Sequence, residues 1–283
     1  MLSTCSIAKQ IVNKMNDSIT VLTLTKGRPN LVRRCIKSVR QQDYEGEVRH
    51  LILIDDCPDT YGTLKQHDEP SDKVRWFLRP RSSEEQSGPE HLARLRNLLV
   101  RMAETKWITF LDDDNEYEPY HLRRLMECAY QTGCPALHSW LRLLNVDGTP
   151  YLKQRWPWCR EDELGTRRYQ EMALLGVVSP GSNVVRDNIH NLPYRCVDTS
   201  EWLLKREILL NHPIPATFSY EEYVNNKAED DKLLMRLLSL DIPIVCNEVV
   251  SLKYYLGGYS TNHNGQHTHS QVWEWALSSN KSF

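Results

Sequence analysis

Three consecutive aspartates, Asp112 to Asp114, are the residues of this chain best suited to chemistry. They directly follow the apolar stretch 108–111, which predicts that three carboxylates gather where a buried strand ends. Like charges this close raise one another's pKa unless a cation neutralises them, so a divalent metal ion would keep them ionised. Ligands that are all oxygen favour Mg²⁺ or Mn²⁺ over zinc. The alternative is a solvated acidic turn before the helix expected from Pro119 onward.

A second pair of carboxylates, Asp55 and Asp56, follows the apolar segment 48–54 in the same way. An acidic group at a strand end of a nucleotide-binding sheet can accept hydrogen bonds from a ribose hydroxyl or a base. The alternative is an ordinary loop in which Pro58 and Asp59 form a turn. The pair alone favours the loop, whereas its repetition of the position of the aspartate triplet favours a site.

The loop after the first apolar segment carries two cations and a glycine, Lys26, Gly27 and Arg28, where backbone could approach a nucleotide. Neither the GxGxxG nor the Walker spacing is present, so the sequence supports neither a dinucleotide-binding fold nor a P-loop. The loop remains a candidate nucleotide contact.

Glu229, Asp230 and Asp231 begin a predicted helix. The positive end of a helix dipole favours an ionised carboxylate, and a general base needs hydrogen-bond reach to an acceptor hydroxyl. Asp230 therefore suits a general base. The alternative is an acidic first turn of the kind that begins many amphipathic helices.

Two tryptophans, Trp156 and Trp158, flank Pro157 in the middle of the chain. Exposed indole rings there could stack on the face of a sugar acceptor. Tryptophan is more often a core residue, and both interpretations stay open at this point.

Alternating strands and helices must position these residues. Apolar runs predict strands at 19–24, 48–54, 74–78, 107–111, 136–144, 177–178, 183–185 and 244–250. Apolar residues at helical spacing predict helices at 30–41 (with Asn30 as N-cap), 90–103, 119–132, 202–211 and 229–240. This alternation predicts an α/β fold with a mainly parallel, Rossmann-like sheet, whose ligands lie outside the carboxyl ends of the strands.

The composition of the 283 residues indicates a soluble protein. With 35 basic and 37 acidic residues the net charge is -2, so nucleic-acid binding is not expected. The eight cysteines are scattered and form no CxxC pair and no Cys/His cluster at zinc spacing. This distribution is typical of reduced thiols. No segment resembles a signal peptide or a membrane span, so a cytoplasmic location is expected.

The order and spacing of the motifs resemble glycosyltransferase family 2, whose members have the GT-A fold. The resembling segments are the first strand and turn 19–29, the helix 31–41, the strand 51–56, the Ala-Arg-Asn-like sequence 95–97, the DxD segment 107–114, the Gly-Ser-Asn segment 180–185 and the Glu-Asp-x-x-Leu-x-x-Arg segment 229–236. The sequence Asp113-Asp114-Asn115, followed by Tyr117 and Pro119, is especially similar to the spore-coat polysaccharide synthesis type.

The resemblance implies a GT-A sheet flanked by helices, with a smaller mixed acceptor-side region. It implies an N-terminal extension at 1–17, a nucleotide-sugar-binding half at 18–118, an acceptor-binding and catalytic half at 119–260 and a C-terminal tail at 261–283.

The resemblance also implies roles for single residues. The nucleoside pocket would be lined by Thr25, Lys26, Arg28 and Asp56. Arg94 and Arg96 would contact phosphate, with a surface position on its helix as the alternative for Arg96. Asp112 and Asp113 would touch ribose or the water shell of the metal, and Asp114, with Asp112, would be a metal ligand. Asp230 would be the catalytic base. In some relatives a late histidine completes the metal site, a role for His263 unless it is a solvated tail residue like His267 and His269.

The expected activity is the transfer of a hexose from a nucleoside diphosphate sugar, UDP-sugar favoured, to a hydroxyl acceptor with inversion and with the help of Mn²⁺ or Mg²⁺. Two alternatives stay open: a sugar nucleotidyltransferase, and a non-catalytic sugar-binding relative.

Overall fold

Nine strands form one sheet within the part of the chain that the computed structural model describes, residues 17–67, 71–82, 85, 87–159, 161–190, 194–224, 227–258 and 260–261. The strands are β1 Ile19–Thr25, β2 Val48–Asp55, β3 Val74–Arg79, β4 Trp107–Phe110, β5 Glu116–Tyr117, β6 Ala136–Leu144, β7 Val184–Val185, β8 Trp202–Lys205 and β9 Ile244–Tyr255. Their order is β3-β2-β1-β4-β8-β6-β9-β5, and β7 pairs with β6.

The helices of the described residues flank this sheet. They are α1 Pro29–Arg40, α2 Pro58–His67, α3 Pro89–Met102, α4 His121–Thr132, α5 Asp162–Leu174, α6 Arg206–Asn211, α7 Tyr220–Val224 and α8 Glu229–Ser239, with a 3-10 turn at Thr199–Glu201. The predicted α/β class and Rossmann-like first half are confirmed, because β3, β2, β1 and β4 are all parallel.

The second half departs from the parallel pattern. β8 pairs antiparallel with both β4 and β6, and β9 runs parallel to β6. Because β8 is antiparallel to both of its neighbours, β4 and β6 run in the same direction, and so does β9. Their carboxyl ends therefore lie at the same edge of the sheet as those of β1 and β2. The polar residues that follow these strands therefore meet at one edge.

The first strand shows why these residues form this core. All seven residues of β1 are buried. Ile19 and Val21 pack into one apolar cluster, and Leu22 and Leu24 pack into another. Because alternate residues of a strand face opposite sides of its sheet, β1 contributes to the apolar core on both faces of the sheet.

Several sequence predictions were wrong in detail. Pro29 occupies the first turn of α1 and Arg28 its N-cap, so Asn30 is not the cap. Residues 177–178 form no strand, and α2 and α5 were not predicted. The segment 202–211, predicted as one helix, is β8 followed by α6.

None of the described helices has both the length and the apolar composition that a membrane span needs. The cytoplasmic location stays a prediction.

Candidate active site

The aspartate triplet forms a turn that three other elements hold in place. The Thr23 hydroxyl donates to the carbonyl of Leu111 at 2.7 Å, which ties β1 to the residue before the triplet. The buried Asn115 side chain accepts from the backbone N–H of Tyr255 at 3.0 Å. A Cβ at Gly258 would overlap Oδ2 of Asp114, so the turn after β9 lies directly on this carboxylate.

Arg28 pairs with two carboxylates of the triplet. Its guanidinium lies 2.6 Å from Asp113 Oδ1 and 2.8 Å from Asp114 Oδ2. Burial raises the pKa of Asp113 to about 7, and the charges of Asp114 and Asp112 add to this although Arg28 opposes it. Burial likewise raises the pKa of Asp114 against the effect of Arg28. The loop after β1 therefore supplies positive charge to the triplet, and the predicted divalent metal ion stays a prediction.

A second arginine, Arg34 of α1, fixes the backbone of the triplet. Its Nη2 donates to the carbonyl of Asp114 at 2.5 Å, and its Nε lies 3.1 Å from Glu116. Its guanidinium also stacks on the ring of Tyr255 at 3.7 Å. This role was not predicted, because helical spacing on α1 carries no signal that the side chain reaches the carbonyl of Asp114, 80 residues later.

Asp112 lies between the parallel first half of the sheet and the start of α8. Arg96 Nη2 donates to Asp112 Oδ1 at 2.9 Å and to Glu229 Oε1 at 3.1 Å. Arg96 is 4% exposed. The buried guanidinium therefore joins the aspartate triplet to the first residue of α8, which precedes Asp230.

The surroundings of Asp230 differ from the expectation of an ionised carboxylate at a helix end. Burial raises its pKa well above the ordinary value, and Asp231, Glu229 and Asp198 contribute to the shift. The backbone N–H of Asp231 donates to Asp230 Oδ1 at 2.7 Å, and this hydrogen bond opposes the rise in the pKa of Asp230. The effect of the helix terminus is outweighed by burial beside three carboxylates.

Asp198 and Ser200 were also missed, although they lie beside the triplet. The Ser200 hydroxyl accepts from the backbone N–H of Asp112 at 3.2 Å. Burial raises the pKa of Asp198 to about 8, and the charge of Asp112 adds to it. Both residues precede β8, and because β8 is antiparallel to β4, its first residues lie at the carboxyl end of β4. The sequence predicts a helix from Trp202 onward, which gives no reason to place them there.

Asp55 and Asp56 have different environments. Asp55 is buried and accepts from His91 Nε2 at 3.0 Å and from the guanidinium of Arg81. Burial opposes its ionisation, but these two hydrogen bonds outweigh burial and lower its pKa to about 2. Asp56 is exposed and has a φ of 51°, in the left-handed region. Asp55 is thus a structural carboxylate, and Asp56 presents its side chain at the sheet edge.

The remaining residues of the predicted nucleoside pocket lie in the loop after β1. Thr25 is buried at the end of that strand, and Lys26 is exposed next to it. His263, the predicted third metal ligand, lies outside the described residues, as do His267 and His269.

Among the described residues, no three His, Cys, Asp or Glu side chains converge as a set of metal ligands. Mg²⁺ is commonly held by one or two carboxylates together with substrate phosphates, so a larger protein set is not required. Asp114 and Asp112 supply oxygen donors of this kind, and the backbone at Gly258 lies directly against Oδ2 of Asp114. Asp112 and Asp114 are therefore the residues that would hold such a cation, and the metal site stays a prediction.

The two tryptophans have different positions. Trp156 is 8% exposed and belongs to a core cluster, as the core interpretation predicts. Trp158 is partly exposed and packs on Tyr254 with ring centroids 5.3 Å apart. The indole N–H of Trp158 also donates to the Tyr254 hydroxyl at 3.3 Å. Burial raises the pKa of Tyr254, and the charges of Asp198 and Asp114 add to it.

Comparisons with known proteins test the predicted family and fold. The family model of glycosyl transferase family 2 matches residues 20–209. WcaA of Escherichia coli, assigned as a colanic acid biosynthesis glycosyl transferase, is 32% identical over 113 residues, which are 38% of this chain and 37% of WcaA. TuaG of Bacillus subtilis, assigned as a teichuronic acid biosynthesis glycosyltransferase, is 25% identical over 135 residues, 47% of this chain and 50% of TuaG. The matches thus span half or less of these relatives.

Solved structures of TarS from S. aureus share the fold. TarS residues 1–349 align with a TM-score of 0.54 and 14% identity over 84% of this chain and 60% of TarS. The same protein in complex with UDP-GlcNAc aligns with a TM-score of 0.53 and 12% identity over 89% of this chain and 60% of TarS. At these identities the likeness shows the fold alone.

Proposed function

Because the chain belongs to glycosyl transferase family 2, we propose that it is an inverting transferase that moves a hexose from a nucleoside diphosphate sugar to a hydroxyl acceptor. One observation carries the proposal. Arg96 contacts both Asp112 and Glu229, so the carboxylates expected to bind the donor lie next to the helix that bears Asp230.

The loop after β1 and the end of β2 would bind the nucleotide. Lys26 and Arg28 supply positive charge, and the exposed carboxylate of Asp56 can accept from N–H groups of a base or from ribose hydroxyls. UDP is the favoured nucleotide, and the similar fold of TarS, described in complex with UDP and with UDP-GlcNAc, supports testing it first.

Asp114 and Asp112 would hold a Mg²⁺ or Mn²⁺ ion jointly with the diphosphate. When bound, the ion would neutralise negative charge on the leaving diphosphate. Arg28, which is paired with Asp113 and Asp114, lies where it can add positive charge to the same phosphates.

Asp230 would act as general base. Its carboxylate takes the proton of the acceptor hydroxyl while the acceptor oxygen attacks the anomeric carbon from the face opposite the diphosphate. A new carbon–oxygen bond forms, the bond to the diphosphate oxygen breaks, and the nucleoside diphosphate leaves with the electron pair. The configuration at the anomeric carbon is inverted. The raised pKa of Asp230 makes its ionised form a stronger base than an ordinary aspartate.

A nucleotide panel tests the donor site. UDP, GDP, CDP and dTDP are added with and without Mn²⁺, and the thermal unfolding of the protein is followed. A nucleotide at a hundredfold excess over its Kd stabilises the folded state by about 2.7 kcal/mol. We expect UDP to give the largest shift and Mn²⁺ to increase it, whereas equal shifts for the four nucleotides would contradict UDP preference.

Product analysis tests the reaction. Incubation with UDP-hexoses should release UDP, either by transfer or by slow hydrolysis. Pyrophosphate release from a nucleoside triphosphate and a sugar phosphate would instead indicate a nucleotidyltransferase. Nucleotide binding without turnover of any nucleotide sugar would indicate a non-catalytic sugar-binding protein.

A further inference from the structure

Arg96 makes contacts that its predicted role at a phosphate does not explain. Besides the two bonds from Nη2, its Nε donates to Glu229 Oε1 at 3.3 Å. Its guanidinium carbon lies 5.6 Å from the ring centroid of Phe110, the last residue of β4. With 4% exposure, the side chain is enclosed between the end of β4 and the start of α8.

The two carboxylates that Arg96 joins come from distant parts of the chain. Asp112 lies two residues before Asp114, and Glu229 is the residue before Asp230. A rigid, planar guanidinium that holds both carboxylates at 2.9 and 3.1 Å sets the separation between the two chain segments.

The next residue of α3, Asn97, holds the second half of the chain as well. Its side chain donates to the carbonyl of Ile214 at 2.8 Å and accepts from the Ile214 N–H at 2.9 Å. The N–H of Phe218 donates to Glu90, also on α3, at 3.3 Å. α3 is therefore a common support for the segment before α8, and Arg96 is the part of this support that reaches the site.

We propose that Arg96 is a positioning residue, which acts through Glu229 to hold the base-bearing end of α8 at a fixed distance from Asp112. This inference rests on the proposed function, because it assumes that Asp230 is the base. The side chain need not touch substrate to affect the reaction. A misplacement of the base by about 1 Å is enough to lower turnover about a hundredfold.

Four variants test this role. Arg96→Met removes the charge and the hydrogen bonds at similar length. Arg96→Lys keeps the charge but loses the planar geometry. Glu229→Gln keeps an acceptor oxygen but loses the charge, and the double variant combines it with Arg96→Met. Arg101→Met, on the same helix at an exposed position, is the matched control.

For each variant, kcat with a UDP-sugar and the Kd of UDP are measured. We expect Arg96→Met to lower kcat at least tenfold, Arg96→Lys to recover part of that loss, and Arg101→Met to match the wild type. We expect the Kd of UDP to change less than kcat. If Arg96 acts through Glu229, Arg96→Met should have a smaller effect in the Glu229→Gln background than alone, because contacting residues are not additive.

The pH dependence of kcat gives an independent readout. Asp230 is surrounded by Glu229, Asp231, Asp198 and Cys196, whose own pKa is raised by burial and by nearby carboxylates including Asp230. Loss of the Arg96 charge leaves Glu229 uncompensated, so the acid limb should move to higher pH. Glu229→Gln should move it to lower pH.

Independent effects of Arg96→Met and Glu229→Gln on kcat, or an unmoved acid limb in both, would overturn the inference. If Arg96→Met does not fold, the same cycle with Arg96→Lys decides it. Activity that survives in Asp230→Asn would instead refute the proposed function. An inactive Asp230→Asn together with an Arg96→Met that behaves like Arg101→Met would refute this inference alone.

Discussion

Gly258 lies against the carboxylate of Asp114, so closely that a Cβ atom would overlap Oδ2. The contact joins the end of β9 to the aspartate that follows β4, two parts of the chain far apart in sequence. Glycine at this position therefore sets how near the chain can come to the proposed diphosphate site.

Replacement of Gly258 by alanine should displace Asp114. Overpacking of this kind costs about 1–3 kcal/mol of folding stability. A displacement of about 1 Å at a site lowers turnover about a hundredfold, so we expect a loss of kcat/KM of this order. Gly62→Ala is the matched control, because a Cβ there meets no atom within 4 Å. Steady-state kinetics with a UDP-sugar measure the effect, and equal activity of the two variants would show that the close approach is not required.

Replacement of Asp114 or Asp230 by asparagine should leave the fold intact and remove transfer. Loss of a general base commonly costs about 10²–10⁴ in rate. Asp72→Asn, at an exposed position outside the site, should keep full activity. Circular dichroism checks the fold and released UDP measures transfer, and a fully active Asp230→Asn would remove the assigned base.

The rate of transfer should rise with pH, and the pH range of this rise should lie above the ordinary pKa of an aspartate. The pKa of Asp230 is raised by burial and by Asp231, Glu229 and Asp198, so its ionised, proton-accepting form appears at higher pH. A profile of kcat against pH at saturating substrate checks this. A rate that is already constant from pH 5 upward would contradict a base with a raised pKa.

Asp55 should stabilise the fold in a pH-dependent way. Its pKa is about 2 in the folded protein against an ordinary 3.8, so its contribution is full above 3.8 and is lost as the pH falls toward 2. The difference corresponds to about 2 kcal/mol at neutral pH. Urea unfolding of Asp55→Asn and of wild type should differ by about this amount at pH 7 and converge on acidification. A difference that does not vary with pH would exclude the ionised carboxylate as its cause.

The parallel first half of the sheet was well predictable from sequence. β1, β2 and β4 are buried apolar runs, and each ends at the polar residues that were expected to follow it. Because parallel strands end at a common edge, the meeting of the loop after β1 with the residues after β4 could be anticipated in outline. The ion pairs of Arg28 with Asp113 and Asp114 were not predicted. The roles of the individual residues stay predictions.

The second half was less predictable because its elements depend on distant partners. The run Trp202 to Leu210 is apolar enough for a helix or a strand, and pairing with β4 and β6 decides for a strand up to Lys205. Arg96 was interpreted as a phosphate contact because no local pattern shows that Glu229, 133 residues later, faces it.

The insertion of β8 between β4 and β6 has a consequence for how the chain is made. During synthesis β4 emerges with one edge unpaired, and this edge stays open until Trp202 to Lys205 leave the ribosome. An unpaired edge strand as apolar as Trp107–Phe110 is a hazard for aggregation, and long-range pairing of this kind is slow. Truncations that end between β4 and β8 should therefore accumulate as insoluble fragments, even though they carry the four parallel strands β1 to β4.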